Sequence, residues 1–593
     1  MSSSFASVGQ GSFWQVFFVD HRAVSGLLII LIYLLLISII AFIFSGYIAD
    51  LYLDREVRLR KYTHYLIDFF EKLIGPASKR NMKFKEYMAN LVFFNAVAAI
   101  MAFVVIFYFN RNVTPVGTYS VNLSLAVHTV VSFITNTDLQ HYSNPFRFSA
   151  FAQMFGLMGL MLFAPVTGFA ASLAFVRGVR TNEGHLGNFY HDFFVSLFDL
   201  FLPLTLLFTI FFALEGLPET LLYYLKITVP VTNVPGYLPL GPIATFQSFE
   251  TLGTNGGGFY GANAAFPLAN PSWISNITEF VAFTLIPLAS IISLGKVFGN
   301  RRFGTMLYSV IMVIFLIASI VTFYSELRGI PVFQNLGILY SGNMLGKETS
   351  LGIAQSSVFN VGATLTSTGI VNSSLIDYTP GGILGIITGL LMNDPLGGVG
   401  TSVINIFTYV IFTAFLASLL IGKLPEMIGF KLGSKEIKYS TLSLITHPLI
   451  VLIPLGIILV EPFLVSGMIN PEPQRVTELF YEFLTSASNN GSEIGGFATN
   501  TALFNYLDSI IMLLGRYLIL GIQLYIAQIF SVRSPRGESP NTVSVGSSYF
   551  GLMLFGVMIG IGLLSFFPVL ALGPLLSFAN DLHLFAGVTV FGH

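Results

Sequence analysis

Leu252-Gly253-Thr254-Asn255-Gly256-Gly257-Gly258-Phe259 is too polar for lipid and too short for a domain, and it lies between long apolar runs. Three consecutive glycines free the backbone for positive-φ conformations, so successive carbonyl oxygens can turn toward one axis and replace an ion's hydration shell. On that reading the stretch is one quarter of an ion-selectivity filter. A glycine-rich cap or loop between helices is the alternative for an isolated Gly-Gly-Gly. The choice turns on whether the stretch has partners.

Three partners are found along the chain. Ser132-Phe133-Ile134-Thr135-Asn136-Thr137-Asp138, Thr366-Ser367-Thr368-Gly369 and Ser488-Asn489-Asn490-Gly491-Ser492 are similar Thr/Ser/Asn-rich segments. Asn136 to Asn255 is 119 positions, Asn255 to Ser367 is 112, and Ser367 to Asn489 is 122. Such a period fits one unit of helix, re-entrant segment and helix. Each loop follows about ten residues of helical character, at 125–134, 243–252, 356–365 and 478–487. Helices that short enter a membrane halfway, and their C-terminal ends turn negative dipole toward a central axis, which favours a cation there. Four units around one axis predict a pseudo-fourfold pore within a single chain.

The composition supports a membrane setting. Of 593 residues, 54% are hydrophobic and only 10% charged, with mean hydropathy +0.77, and apolar runs repeatedly reach about 20 residues, as a polytopic helical membrane protein requires. A soluble protein would carry about a quarter charged residues, and a membrane barrel would show short alternating segments. The formal net charge of -1 advertises no nucleic-acid partner. Zero cysteines exclude disulfides, thiolate metal sites and cysteine nucleophiles. His128, His141 and His447 are scattered, with no metal-ligand spacing among them.

Read in order, residues 1–24 form an N-terminal extracytoplasmic extension without signal-peptide features. Residues 25–49 hold an additional membrane helix, and residues 50–87 a basic segment placed in the cytoplasm by the positive-inside rule. Pore repeats follow at 88–176, 193–298, 305–422 and 441–530, and residues 547–593 supply a last membrane helix and an extracytoplasmic tail. About ten spans result, an all-α polytopic fold with both termini extracytoplasmic. The apolar run at 380–422 is too long for one span at 1.5 Å per residue. Asn393-Asp394-Pro395-Leu396-Gly397-Gly398 in its middle predicts a helix broken at 393–398, with its loop at membrane depth. Within the basic segment, Leu59, Tyr62, Tyr65, Leu66, Phe69 and Leu73 recur at helical spacing, which suits either an interfacial amphipathic helix or a docking face for a partner.

These stretches resemble a known family, the potassium-binding subunit of the Kdp-type potassium-transporting P-type ATPase, related to the wider potassium channel and transporter superfamily. The most specific match is the Leu252–Phe259 loop followed by Asn263 and Asn270-Pro271. Also similar are Met82-Lys83-Phe84-Lys85-Glu86-Tyr87, residues 126–140, Gly397-Gly398-Val399-Gly400, Gly422-Lys423-Leu424-Pro425-Glu426, Leu514-Gly515-Arg516-Tyr517 and residues 566–574. The resemblance implies potassium-coordinating positions at Asn136, Thr137, Thr254, Asn255, Ser367, Thr368, Asn489 and Asn490, with Gly256, Gly369 and Gly491 as filter glycines. It implies pathway or gate roles for Gln140 and Arg516, and it matches Lys423 to a basic position that also suits a plain cytoplasmic anchor. It further implies uptake of potassium, with no organic cofactor, through a tunnel to a P-type ATPase catalytic subunit that binds ATP. That picture is completed by a smaller accessory subunit, in the cytoplasmic membrane of a bacterium or archaeon.

Some residues depart from the family pattern. Asp138 stands where an asparagine is usual, and Glu493 adds a carboxylate after the fourth loop, so both are expected at the outer mouth. Tyr260-Gly261 replaces Phe-Asn, and Asn393 holds the position of a family glutamate, with Asp394 adjacent either as its substitute or as a turn residue before Pro395. The N-terminal extension is longer than usual for the family. Arg516 falls near the middle of a span, where an unpaired guanidinium costs at least about 2.5 kcal/mol, so it needs a partner or water.

Ion conduction needs only the filter, whereas active uptake needs an energy source. The sequence has no GxxxxGK[ST] phosphate loop and no aspartyl-phosphate motif, so the chain is expected to be the non-catalytic part of any pump. The alternatives are a stand-alone potassium or sodium channel or symporter, and a membrane scaffold with degenerate pore loops.

Overall fold

The computed structural model describes residues 21–110, 112–114, 117–119, 121–228, 234–330, 336, 342–422, 425–461, 468, 470, 473–533 and 544–581. Most of the N-terminal extension, the last twelve residues, Lys423 and Arg536 lie outside the described residues.

Among the described residues, ten helices are long and apolar enough to cross a membrane. They are α1 (His21–Tyr52), α3 (Phe84–Tyr108), α5 (Ala152–Arg180), α6 (Phe189–Glu215), α8 (Trp273–Val297), α9 (Arg301–Arg328), α12 (Thr401–Ile421), α13 (Ser434–Val460), α15 (Ala502–Ser531) and α16 (Ser548–Leu572). Between them lie α2 (Arg60–Ile74), the short helices α4 (Leu123–Ile134), α7 (Ile243–Leu252), α10 (Gly352–Leu365) and α14 (Gln474–Ala487), then α11 (Pro380–Leu391) and α17 (Pro574–Asp581). The chain is a polytopic all-helical membrane protein, with three two-stranded hairpins among the described residues.

Capping explains many of the helix starts. Asn122 accepts from Leu125 N to open α4, Asn188 from Tyr190 N to open α6, Asn300 from Phe303 N to open α9, and Thr501 from Phe504 N to open α15. The short helices α7 and α14 start at Pro242 and Pro473, which have no N–H to leave unpaired. Burial then sorts the elements: α5 and α8 are mostly enclosed by protein, whereas α3 and α16 leave most of their apolar surface to lipid.

Four helix, short helix, helix units follow one another: α3–α4–α5, α6–α7–α8, α9–α10–α11/α12 and α13–α14–α15. In the third unit the returning helix is interrupted. Helix α11 ends at Leu391, α12 begins at Thr401, and the intervening segment holds Asn393 and Asp394 at φ 51° and 49° and Gly397 at 65°. Helix α1 packs on α8, and α16 on α12 and α9, outside the four units.

Polar contacts fix the ends of the units. Arg177 of α5 donates from both terminal nitrogens to Asp192 of α6, at 2.7 and 3.0 Å, and Tyr87 of α3 donates to the same carboxylate at 3.0 Å. At the other end, Lys347 meets Glu326 of α9 at 2.8 Å, both side chains fully buried, and Glu326 also accepts from Thr379 and Asn343. Helix α2 lies against α6 through Ile67 and through Arg60 and Thr63, which donate to Asp199. It leaves Tyr62, Tyr65, Leu66, Phe69 and Leu73 exposed, as an amphipathic helix at an interface does.

Candidate functional site

The four short helices, of 10 to 14 residues, point their C-terminal ends at one place. Two residues past the end of each helix one non-glycine residue takes left-handed backbone: Asn136 at φ 64°, Thr254 at 50°, Ser367 at 53° and Asn489 at 54°. Such conformations cost of order 1–3 kcal/mol each and persist only where the surroundings impose them. Their recurrence at one position of all four units is the signature of a repeated loop. It also corrects the register of the second loop, because Thr254, not Asn255, is the equivalent of Asn136. The similarity of the two asparagines is side-chain deep, whereas the turn that ends each helix fixes the backbone register.

The residues that follow close the ring. Asn136 donates to Gly253 O and Thr254 O of the second loop at 3.1 and 2.8 Å, and Gly256 N donates to Thr137 O at 3.1 Å. Ser367 donates to Ser488 O and Asn489 O at 3.0 and 3.1 Å, and Asn489 donates to Thr137 Oγ1 at 2.9 Å. Gly256, Gly369 and Gly491 meet backbone to backbone. A Cβ on Gly256 would stand 2.5 Å from Gly491 Cα, one on Gly369 2.7 Å from Gly256 Cα, and one on Gly491 2.8 Å from Gly256 Cα. Asp138 takes this glycine position in the first loop, at φ 55°.

Side chains one position earlier are tied back. Asn255 donates to Phe249 O of its own short helix, Thr368 pairs with Thr366, and Asn490 donates to Ala363 O of α10. The groups left for a central ion are therefore backbone carbonyls, such as Asn490 O, which lies where a Gly256 side chain would be. Asn263 braces the second loop by donating to Gly256 O at 3.0 Å.

Two cavities flank the ring. A mouth of about 370 Å³ is lined by Gln140, Gly256, Asn263, Gly491 and Glu493, among others. Gln140 also exchanges two hydrogen bonds with Gly258, at 3.0 and 3.3 Å, so it holds the first loop to the second as well as facing the mouth. Asp138 is absent from the mouth, contrary to expectation. It is fully buried, with neither carboxylate oxygen hydrogen-bonded, on a backbone at φ 55°.

On the opposite side a cavity of about 30 Å³, room for a couple of water-sized species, is lined by Asn136, Ser367, Asn489, Asp394, Gly398 and Arg516, among others. The broken segment forms its floor, with Val399 N donating to Thr254 Oγ1 at 3.0 Å and Gly397 N to Leu365 O at 3.1 Å. Arg516 donates to Ala164 O at 3.0 Å, and among the described residues no carboxylate lies within ion-pairing distance of it. It sits on a π turn, Leu514–Leu518, one of three in the molecule's described residues, and that extra residue aims it at the cavity. Asn405 and Gln523, which sequence reasoning passed over, join the same wall: Gln523 donates to Asn405 at 2.9 Å, and Asn405 to Asn393 O at 3.0 Å. A smaller cavity sharing Asn393, Asn405 and Gln523 continues toward Ser443 and His447. Polar residues scattered through apolar helices were the only sequence signal for that wall.

Comparison with known proteins bears on this arrangement. Residues 31–578 match the family model described as potassium-transporting ATPase A subunit. A potassium-transporting ATPase potassium-binding subunit of Thermoplasma acidophilum is 55% identical over 572 residues, covering 96% of this chain and 97% of its own. The protein of that name from Thermoplasma volcanium is 55% identical over 577 residues, covering 97% and 98%. One from Caldanaerobacter subterraneus is 33% identical over 518 residues, covering 86% and 92%. Among solved structures, the potassium transporter TrkH from Vibrio parahaemolyticus aligns with a TM-score of 0.47 at 14% identity, over 69% of this chain and 78% of that one. With matches spanning nearly its whole length, the chain belongs to the potassium-transporting ATPase A subunit family.

Proposed function

We propose that this chain binds extracytoplasmic potassium in the ring of four loops and passes it to a P-type ATPase subunit for ATP-driven uptake. The observation that carries the reading is the shared left-handed position at Asn136, Thr254, Ser367 and Asn489, each two residues past the end of a short helix whose negative end faces the ring. Carbonyl oxygens presented in this way replace water around a monovalent cation, and the tied-back side chains keep the ring from adapting to a smaller one.

Below the ring, Asp394 supplies carboxyl oxygens to one wall and Arg516 a guanidinium to another. A cation leaving the ring is drawn toward Asp394 and repelled from Arg516, so its path bends toward Asn405 and Gln523. The chain is the ion-binding, non-catalytic subunit; ATP is bound by the partner, and a smaller accessory subunit completes the complex. Its place is the cytoplasmic membrane of a prokaryote, with the mouth and both termini outside. Glu493 at the mouth concentrates cations.

Potassium-stimulated ATP hydrolysis by the assembly that copurifies with this chain in mild detergent tests the proposal. Stimulation by low potassium but not by equal sodium, with a large ATPase subunit present, is expected. A chain that purifies alone and carries potassium into liposomes without ATP would instead be a channel or symporter.

A further inference from the structure

His128 and His141, far from any metal-binding spacing in the sequence, are brought together by the fold with their rings stacked at 3.7 Å. His141, just past the first loop, faces Glu482 of α14 and Asp508 of α15, with Nε2 3.1 Å from Glu482 Oε1 and 3.8 Å from Asp508 Oδ2. All three side chains are buried, and one donor atom from each lies within 4.8 Å of the others.

The surrounding hydrogen bonds fix which ring nitrogen carries the hydrogen. Asn505 Nδ2 donates to Ser124 Oγ and to Asn500 Oδ1, both at 3.1 Å, so its Oδ1, 2.7 Å from His141 Nδ1, must accept. Nδ1 therefore bears the hydrogen, and Nε2 turns its lone pair toward two carboxylates. A single proton, whether on Nε2 or on a carboxyl, bridges one pair of these atoms, and the 3.8 Å between Nε2 and Asp508 Oδ2 is beyond hydrogen-bond reach. A proton on Nε2 would serve Glu482 at 3.1 Å but leave Asp508 Oδ2, which has no hydrogen-bond partner although fully buried. A metal ion serves all three at once.

We propose that His141, Glu482 and Asp508 form a binding site for a divalent transition ion of the zinc class. One imidazole nitrogen and two carboxylate oxygens are donors such ions accept; bonds of about 2.0–2.2 Å at tetrahedral angles set donors roughly 3.3–3.6 Å apart, so the 3.1 and 3.8 Å from Nε2 bracket that value and the carboxylates, all three donors lying within 4.8 Å, would close around the ion by side-chain rotation. The outer groups are also in place: Asn505 orients the imidazole, and Ser486 donates to Asp508 Oδ1 at 3.2 Å. The ion would join the first unit to the fourth, which meet in the ring but are separated in sequence by more than 300 residues. It is a staple across the one seam of the ring that no short stretch of chain spans.

The test uses the full-length chain in its detergent-purified assembly, stripped with a chelator and titrated with zinc and with cobalt. One equivalent of zinc per chain retained after dialysis, together with visible d–d absorption of bound cobalt, is expected. Asp508→Asn and Glu482→Gln keep side-chain volume and should each weaken cobalt binding at least tenfold. Absence of retained metal in the unmutated protein overturns the proposal, as does cobalt binding that neither substitution changes.

Discussion

A side chain on Gly256 would stand 2.5 Å from Gly491 Cα, closer than real Cβ contacts come. Gly256→Ser must therefore push the second loop away from the fourth, while the helices behind both remain packed. Potassium affinity measured by competition binding should fall at least tenfold, about 1.4 kcal/mol, with the elution profile of the protein unchanged. Gly491→Ala adds backbone strain, because Gly491 sits at φ 92°, and should lose binding further. Asp138 makes an opposite case. Its buried carboxylate has no hydrogen-bond partner, and asparagine tolerates its φ of 55°. Asp138→Asn should change thermal stability by no more than about 1 kcal/mol in a melting experiment, since it exchanges one unpartnered buried polar group for another of the same size. The four loops that meet in the ring were legible in the sequence because four Thr/Ser/Asn/Gly clusters recur at a near-constant period. The burial of Asp138 was not, since residue type at a polar loop does not show which side chains the closing of the ring encloses.

At the scale of single elements, the interrupted helix and the π turn at Leu514–Leu518 face each other across the inner cavity. Asn-Asp-Pro followed by Gly-Gly announces the interruption, since proline cannot continue the hydrogen-bond ladder. The π turn has no comparable announcement: Leu514-Gly515-Arg516 reads as ordinary helix, although a Cβ on Gly515 would stand 2.2 Å from Ala487 O at the end of α14, so the turn packs closely there. If Arg516 is the barrier to straight passage, Arg516→Met should raise ATP-independent potassium flux in liposomes severalfold while leaving ring binding within about twofold. The buried Lys347–Glu326 pair makes a separate prediction for the lead-in to the third short helix. Lys347→Met strands a buried carboxylate and should cost about 3–5 kcal/mol, read as a fall in melting temperature. Adding Glu326→Gln should recover part of that loss, the double-mutant cycle measuring the coupling.

Across the whole molecule, ten membrane helices and four repeated units followed from hydropathy and period, because lipid forces every backbone polar group into a helix. What the sequence does not display is how distant segments meet. His141 and Glu482 are 341 residues apart, and Asn405 and Gln523 are 118 apart, yet each pair shares one wall. Contacts of that kind arise from closing four units into a ring, so they are properties of the assembly rather than of any local pattern. Rubidium, a potassium substitute with a strong anomalous signal, tests the central claim most directly in diffraction from the detergent-purified assembly. The account predicts an anomalous peak on the axis enclosed by Thr137, Gly256, Gly369 and Gly491, lost in Gly256→Ser. Bound rubidium found only elsewhere, with none within that ring, would contradict it.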